Sequence, residues 1–306
     1  MTGRDRVAFL QGMLTNDLKV LNPGQGCPAA FLDAHGKVQA LLTVLSLEDR
    51  LLLMLNGGSA EKTLQVLDKF LISEKAFFRD VSAETALFLL AGPATAAVVE
   101  RLTGEPPLPG AWAHAERRVA EIPVRVITGG GETGEAEAWL HAPLSAGERL
   151  WGEALEAGKP LRLRPIGVTA LDVLRVEAGT LWYGHDVDET VLLPEIPAGR
   201  YVSYTKGCYI GQEVVARIKY RGHVNRSLTG LTFDGDRVAN SGAAIEAEGR
   251  QVGHVTSAVS SYALNRPIAL AFVRREHLEP GTRVTVRDDD LSLTARVTAL
   301  PFYRRA

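Results

Sequence analysis

Apolar positions along this chain switch repeatedly between helical and strand spacing. Over residues 6–18, Val7, Leu10, Met13 and Leu14 recur at helical spacing, and Asn22-Pro23-Gly24 stops the run. Residues 28–32 then read as a short strand. Asp33-Ala34-His35-Gly36 reads as a turn, with Gly36 free to take a positive φ. Residues 38–47 and 50–55 form a predicted hairpin around a polar Glu48-Asp49 tip. Ser59 is placed to cap a helix over 60–71, striped by Leu64, Leu67 and Leu71.

A second unit is predicted over 72–161. Its pieces are a strand (85–90), a helix after Gly92-Pro93 (94–102), strands near 119–127 and 136–141, and a helix over 145–157. That β-α-β-β-α order suggests a split βαβ, ferredoxin-like unit. Gly129-Gly130-Gly131 reads as a hairpin tip, since a phosphate loop needs a following helix and none is predicted. A helical pattern reopens over 162–176, with Ile166, Ala170, Val173 and Leu174, and 179–199 reads as loop. From about Arg226 the pattern is all strand, at 228–233, 243–247, 251–258, 268–273, 283–286 and 291–300. Short strands with frequent turns imply a small barrel, so the fold class is α+β.

The bulk numbers narrow the class. A chain of 306 residues exceeds one ordinary core. Hydrophobic residues at 46% and charged residues at 23% are the balance of a soluble globular protein. The formal net charge of -2 supplies no global basic field, so no direct nucleic-acid or membrane partner is expected. Two cysteines, Cys27 and Cys208, are too few for a disulfide framework or a four-thiolate site. A reducing, cytoplasmic location and a monomer are the expectations. The first six residues lack the apolar stretch of a signal peptide.

The sharpest local feature is Lys206-Gly207-Cys208-Tyr209-Ile210-Gly211-Gln212-Glu213. Gly207 permits a tight turn, the Lys206 ammonium favours a thiolate, and a helix starting near Ile210 would favour it further. Alone, Cys208 reads first as a small buried core residue, as most free cysteines are. Glu177 is the second feature. It closes an apolar helical stretch, where carboxylates are disfavoured by the helix dipole. It is either a solvated helix-end charge or an acceptor for two N–H donors of a heterocycle such as a pterin. The seven histidines form no H-x-x-x-H or H-E-x-x-H pair, and there is no G-x-S-x-G elbow.

Together these residues resemble a known family. Leu171-Asp172-Val173-Leu174-Arg175-Val176-Glu177-Ala178-Gly179 with Tyr183-Gly184-His185-Asp186-Val187-Asp188 is similar to the folate-site stretch of glycine-cleavage aminomethyltransferases. Phe9-Leu10-Gln11-Gly12-Met13-Leu14-Thr15-Asn16-Asp17 resembles their N-terminal helix, and Gly253-His254-Val255-Thr256-Ser257 a strand of their C-terminal barrel. The segment from Lys206 to Arg217 resembles the signature of the YgfZ family, folate-binding iron–sulfur maintenance proteins within the glycine-cleavage T-protein (aminomethyltransferase) superfamily.

The resemblance implies three domains around a central folate channel: a discontinuous folate-binding domain (1–71 and 162–225), an inserted ferredoxin-like domain (72–161) and a barrel (226–306). It implies a tetrahydrofolate or related folate ligand. It also implies iron–sulfur client enzymes as partners, including those that thiomethylate transfer RNA. Carried over, Glu177 grips the pterin, Tyr183 lines the folate site, Arg217 is a further folate-binding residue, and Cys208, assisted by Lys206, is the functional thiol. One thiol cannot hold a cluster alone, so any cluster contact is transient or shared with a partner or a glutathione molecule.

Two departures matter. The aspartate that aminomethyltransferases carry after the 35–37 turn falls here on Ala40 or Leu41, which argues against glycine-cleavage turnover. Relatives usually have a strand before the first helix, so a late start or a missing sheet edge is expected. Two other readings remain: a folate-dependent one-carbon transferase or demethylase, with Asp33 or Asp186 as base, and a non-catalytic binding module that senses folate or docks a partner enzyme.

Overall fold

A computed structural model describes residues 1–303, so the last three residues of the expected 226–306 barrel segment lie outside the described residues. The chain packs as two units. One comprises Met1–Ala29 and Leu42–Ile166, the other Ala30–Leu41 and Gly167–Ala306.

In the first unit, α1 (Arg6–Met13) ends short of the expected residue 18. Leu14 turns extended, and the Asn16 and Asp17 carbonyl and carboxylate oxygens accept the backbone N–H groups of Asp17 and Lys19 at 3.0 and 3.1 Å. Short polar side chains that capture local N–H groups compete with the helix ladder. Strands β1 (Gly26–Leu32), β2 (Val38–Ser46) and β3 (Leu51–Leu55) form a sheet in that order, with residues 30–32 of β1 and 38–41 of β2 assigned to the second unit, and β2 pairs with β3 antiparallel, as the hairpin pattern predicts. Helix α2 spans Ala60–Asp68, and Ser59 stands at its N-cap position. Its hydroxyl donates to the Asn56 carbonyl at 2.6 Å instead of capping the helix.

The rest of this unit is β4 (Thr85–Ala91), α3 (Thr95–Thr103), β5 (His114–Val119), β6 (Ile122–Thr128), β7 (Glu137–Pro143) and α4 (Gly147–Gly158). The expected single strand over 119–127 is two strands, β5 and β6, joined through Ala120 and Glu121 with Ala120 at φ 49°. A two-residue hairpin turn without Asn or Gly leaves no turn signal in the sequence. The order is therefore β-α-β-β-β-α, with sheet order β4-β7-β6-β5 and every neighbour antiparallel. Val98, Val99, Val124, Leu140 and Leu150 form its core. The glycine loop before β7 wraps the Glu137 carboxylate. That carboxylate accepts the N–H groups of Gly131 and Glu132 at 3.0 Å each, with Thr133 N–H and hydroxyl besides. The loop's donors are thus spent on an internal anion, which closes the phosphate-loop reading.

The second unit holds α5 (Val168–Glu177), α6 (Gln212–Arg221) and six strands: β8 (Arg226–Phe233), β9 (Ala244–Ala247), β10 (Arg250–Ser261), β11 (Arg266–Arg274), β12 (Arg283–Asp288) and β13 (Leu291–Thr298). Helix α5 starts six residues later than expected, because Pro165 biases Arg164 away from helical geometry and Gly167 is extended. All six expected strands are present, and they close a barrel in the order β10-β11-β8-β13-β12-β9.

Strand β11 shows how this unit is built. Residues 267–273 are all buried. Ala269, Ala271 and Val273 point into the barrel with Val255 and Val297. Ile268, Leu270 and Phe272 point outward, into a second cluster with Val176, Leu193, Tyr209 and Val215. Alternate residues of a strand face opposite sides, so a continuous apolar run marks a strand covered on both. Each buried Val, Ile, Leu or Phe side chain here contributes about 2 kcal/mol. That outer cluster carries the loops of the candidate site.

Candidate functional site

Helix α5 ends in a tight stop. Gly179 takes φ 70°, and the Gly179 and Thr180 N–H groups donate to the carbonyls of Val176 and Arg175. A left-handed glycine after the last turn satisfies helix-end carbonyls. This stop holds Glu177, which is 3% exposed. Its Oε1 accepts from the Ser261 hydroxyl at 2.5 Å and from Ala263 N–H at 3.1 Å. Oε2 takes no hydrogen bond from the described residues and is not sealed from solvent. Glu177 is therefore a fixed, buried carboxylate, not a solvated helix-end charge. Tyr183 follows, half-buried against the outer cluster, with its hydroxyl donating to Glu189 Oε2 at 3.4 Å.

A cluster in which the sequence reading gave a role only to Asp186, as an alternative base, fixes this region. Arg175 and Asp186 are buried, at 2% and 3% exposed. Arg175 NH1 pairs with Asp186 Oδ2, Nε donates to Asp172 at 2.7 Å, and NH2 donates to Ser257 Oγ at 2.7 Å. Asp186 also accepts from the Thr256 and Ser257 hydroxyls, both at 2.7 Å, and from Trp182 N–H at 3.1 Å. The guanidinium lies 4.7 Å from the Trp182 ring centroid. Helix α5, the 180–187 loop and β10 are thereby pinned together. The one available signal was an arginine inside an apolar helical stretch.

The cysteine segment alternates between buried and exposed positions. Lys206 is 7% and Tyr209 8% exposed, while Cys208 is exposed. The Lys206 ammonium lies 5.2 Å from the Tyr209 ring centroid, and no hydrogen bond or ion pair joins it to Cys208. Burial, followed by the neighbouring Tyr204, pushes the Tyr209 phenol up to about 12, so its ring is neutral beneath the cation. The tight turn expected at Gly207 falls instead at Gly211, with φ 81°. A Cβ there would lie 2.6 Å from the Asp33 carbonyl oxygen, whereas one on Gly207 would meet nothing within 4 Å. Gly211 thus lets α6 start against the 33–36 turn, where Gly36 has φ 78° as expected. Cys208 stands four residues before Gln212, outside the first turn of α6.

One cluster of apolar side chains, including Val176, Leu181 and Tyr209 with Tyr183 at its edge, backs all three segments. Arg217 is exposed on α6, and no hydrogen bond or ion pair joins it to Glu177, Tyr183, Lys206 or Cys208 among the described residues. The two positions expected to replace the transferase aspartate, Ala40 and Leu41, are buried in β2 at 0% and 4% exposed. Of the alternative bases, Asp186 is saturated by its partners. Asp33 Oδ1 accepts the N–H groups of His35 and Lys37 at 2.9 Å each. Among the described residues no group of three His, Cys, Asp or Glu converges to hold a metal ion, and no helix is long and apolar enough to cross a membrane.

Family comparison agrees with this architecture. A family model described as GCVT N-terminal domain matches residues 1–206, and one described as glycine cleavage T-protein C-terminal barrel domain matches residues 226–304. The chain belongs to the glycine-cleavage T-protein superfamily. Within the superfamily, it is 31% identical to an aminomethyltransferase of Halalkalibacterium halodurans, over all of this chain and 84% of that protein. It is 32% identical to an aminomethyltransferase of Streptomyces avermitilis, over all of this chain and 83% of that protein. The crystal structure of glycine cleavage system aminomethyltransferase T from Bartonella henselae shares the superfamily fold. Its TM-score is 0.85 at 24% identity, covering 99% of this chain and 82% of that one.

Proposed function

We propose that this T-protein relative binds tetrahydrofolate and, through the exposed thiol of Cys208, supports the assembly or repair of iron–sulfur proteins, as the YgfZ-like signature implies. The observation that carries this reading is the build of the 206–209 loop. Two buried anchors, Lys206 and Tyr209, hold an exposed cysteine on a fixed backbone. Thiolates attack electrophiles and bind soft metals, and a single accessible one suits transient contact with a partner's cluster.

The residues present fit the folate. Glu177 Oε2 is a positioned acceptor for the amino-imino edge of a pterin, and Tyr183 would line the same site. Tetrahydrofolate, when bound, supplies a carrier for one-carbon units. Cluster-enzyme activity in cells lacking the protein tests the thiol. Cys208→Ala should fail to restore it, and restoration at the wild-type level overturns the reading.

A second reading, folate-dependent aminomethyl transfer, is favoured by the names of relatives matched along the whole chain. Against it, Ala40 and Leu41 carry no carboxylate, and Asp186 and Asp33 are engaged by their own surroundings. Turnover of a methylamine-type donor with tetrahydrofolate, unaffected by Cys208→Ala, would select it.

A further inference from the structure

Downstream of Cys208, helix α6 carries exposed cations that no carboxylate among the described residues pairs with. Over residues 200–226 there are six lysines and arginines against one carboxylate, Glu213, in a chain whose net charge is -2. Lys206 is buried, Arg200 donates to the Tyr201 hydroxyl at 2.8 Å, and Arg226 is bound by Glu195 at 3.1 Å. Arg217, Lys219 and Arg221 remain exposed on α6, and no carboxylate among the described residues pairs with them. The helix dipole accounts for cations in the last turn, at Lys219 and Arg221, but not for Arg217 in mid-helix.

Aromatic rings are interleaved. Tyr204 is 38% and Tyr220 67% exposed, and the Lys219 ammonium lies 2.9 Å from the Tyr204 ring centroid. That contact ties the loop bearing Cys208 to the third turn of α6. We infer that the cationic C-terminal half of α6, with Arg217 and Arg221 on one face and Lys219 turned toward Tyr204, docks an acidic protein surface surrounding the client's cluster site and so presents that site to Cys208. The inference rests on the proposed role of the thiol.

Charge complementarity names the occupant. Exposed tyrosines and arginines flanked by cations are the composition of a protein interface. A nucleic acid would need open ring faces for its bases and a longer run of phosphate contacts. Here the Tyr204 face is already covered by Lys219.

The test uses the full chain and two arms. Fluorescence anisotropy measures binding of a labelled oligoglutamate peptide. Rescue of cluster-enzyme activity is measured in cells lacking the protein. Lys219→Gln/Arg221→Gln should weaken peptide binding about tenfold and depress rescue, with tetrahydrofolate affinity unchanged. Lys219→Arg/Arg221→Lys, which keeps the charges, should behave as wild type. Arg221→Gln alone guards against loss of the Lys219–Tyr204 contact and should show part of the effect. Equal peptide binding by wild type and the double Gln variant overturns the inference. So does tighter binding of an oligouridylate of equal charge through the same cations. Full rescue by the double Gln variant while Cys208→Ala fails overturns the docking face alone. Full rescue by Cys208→Ala overturns the role of the thiol instead.

Discussion

The Arg175–Asp186 pair gives the sharpest stability prediction. Both side chains are buried, and Asp186 accepts from Arg175, Thr256, Ser257 and the Trp182 N–H. Asp186→Leu leaves the buried guanidinium with only the part-exposed Asp172 as counter-charge, and Arg175→Met leaves the Asp186 carboxylate in the interior without one. Breaking a buried pair from either side costs about 3–5 kcal/mol. For a chain of this size that lowers Tm by on the order of 10 °C. The double variant removes both charges. Its remaining cost is the orphaned Trp182 N–H and hydroxyl donors, about 1–3 kcal/mol. Thr256 keeps one partner, the Leu270 carbonyl at 3.1 Å. The two single costs therefore exceed the double cost by well over 2 kcal/mol, a coupling expected only between groups in direct contact. Urea unfolding followed by tryptophan fluorescence, with Trp182 beside the guanidinium, measures all three variants. Strictly additive costs would refute the reasoning.

Three further outcomes follow from the same geometry. Burial first, and the Arg125 guanidinium second, push the His114 imidazole down to about 4, so the unfolded chain takes up the proton first. Stability should be complete above the ordinary histidine range near 6.5. It should fall as pH drops from there toward 4, by up to about 3 kcal/mol. His141 and His254 are shifted down too, chiefly by burial, and add in the same direction, so His114→Phe should flatten the pH dependence of the urea midpoint without abolishing it. Gly211→Ala forces a Cβ against the Asp33 carbonyl at positive φ and should cost about 2 kcal/mol, whereas Gly207→Ala should leave Tm unchanged. Glu177→Ala should weaken tetrahydrofolate binding about tenfold or more in a fluorescence titration, and equal affinity would remove Glu177 from the pterin site.

The barrel was legible because its strands carry apolar alternation broken by turns. Strand β11, buried on both faces, declared itself as the unbroken run Ile268-Ala269-Leu270-Ala271-Phe272-Val273. The β5–β6 hairpin was not legible, because Ala120 takes a positive φ that no glycine or asparagine announces. Helix ends were misjudged where side chains capture backbone N–H groups, as at Asn16 and Asp17. At the candidate site, Glu177 and Cys208 stood out by residue type against their surroundings. What their side chains touch depends on Ser261 and Ala263, more than eighty positions away, and on the 33–36 turn beneath Gly211. Local pattern holds no record of such contacts. The same holds for Lys206, whose ammonium covers Tyr209 although its nearest chemical neighbour in the sequence is the thiol.

The proposed role of Cys208 is tested most directly by the activity of an iron–sulfur enzyme in cells whose only copy of this protein carries Cys208→Ala. Tetrahydrofolate affinity is measured on the purified variant alongside. An exposed thiol on a loop anchored by its neighbours predicts wild-type folate affinity and stability together with lost enzyme activity. Full enzyme activity with Cys208→Ala would contradict it.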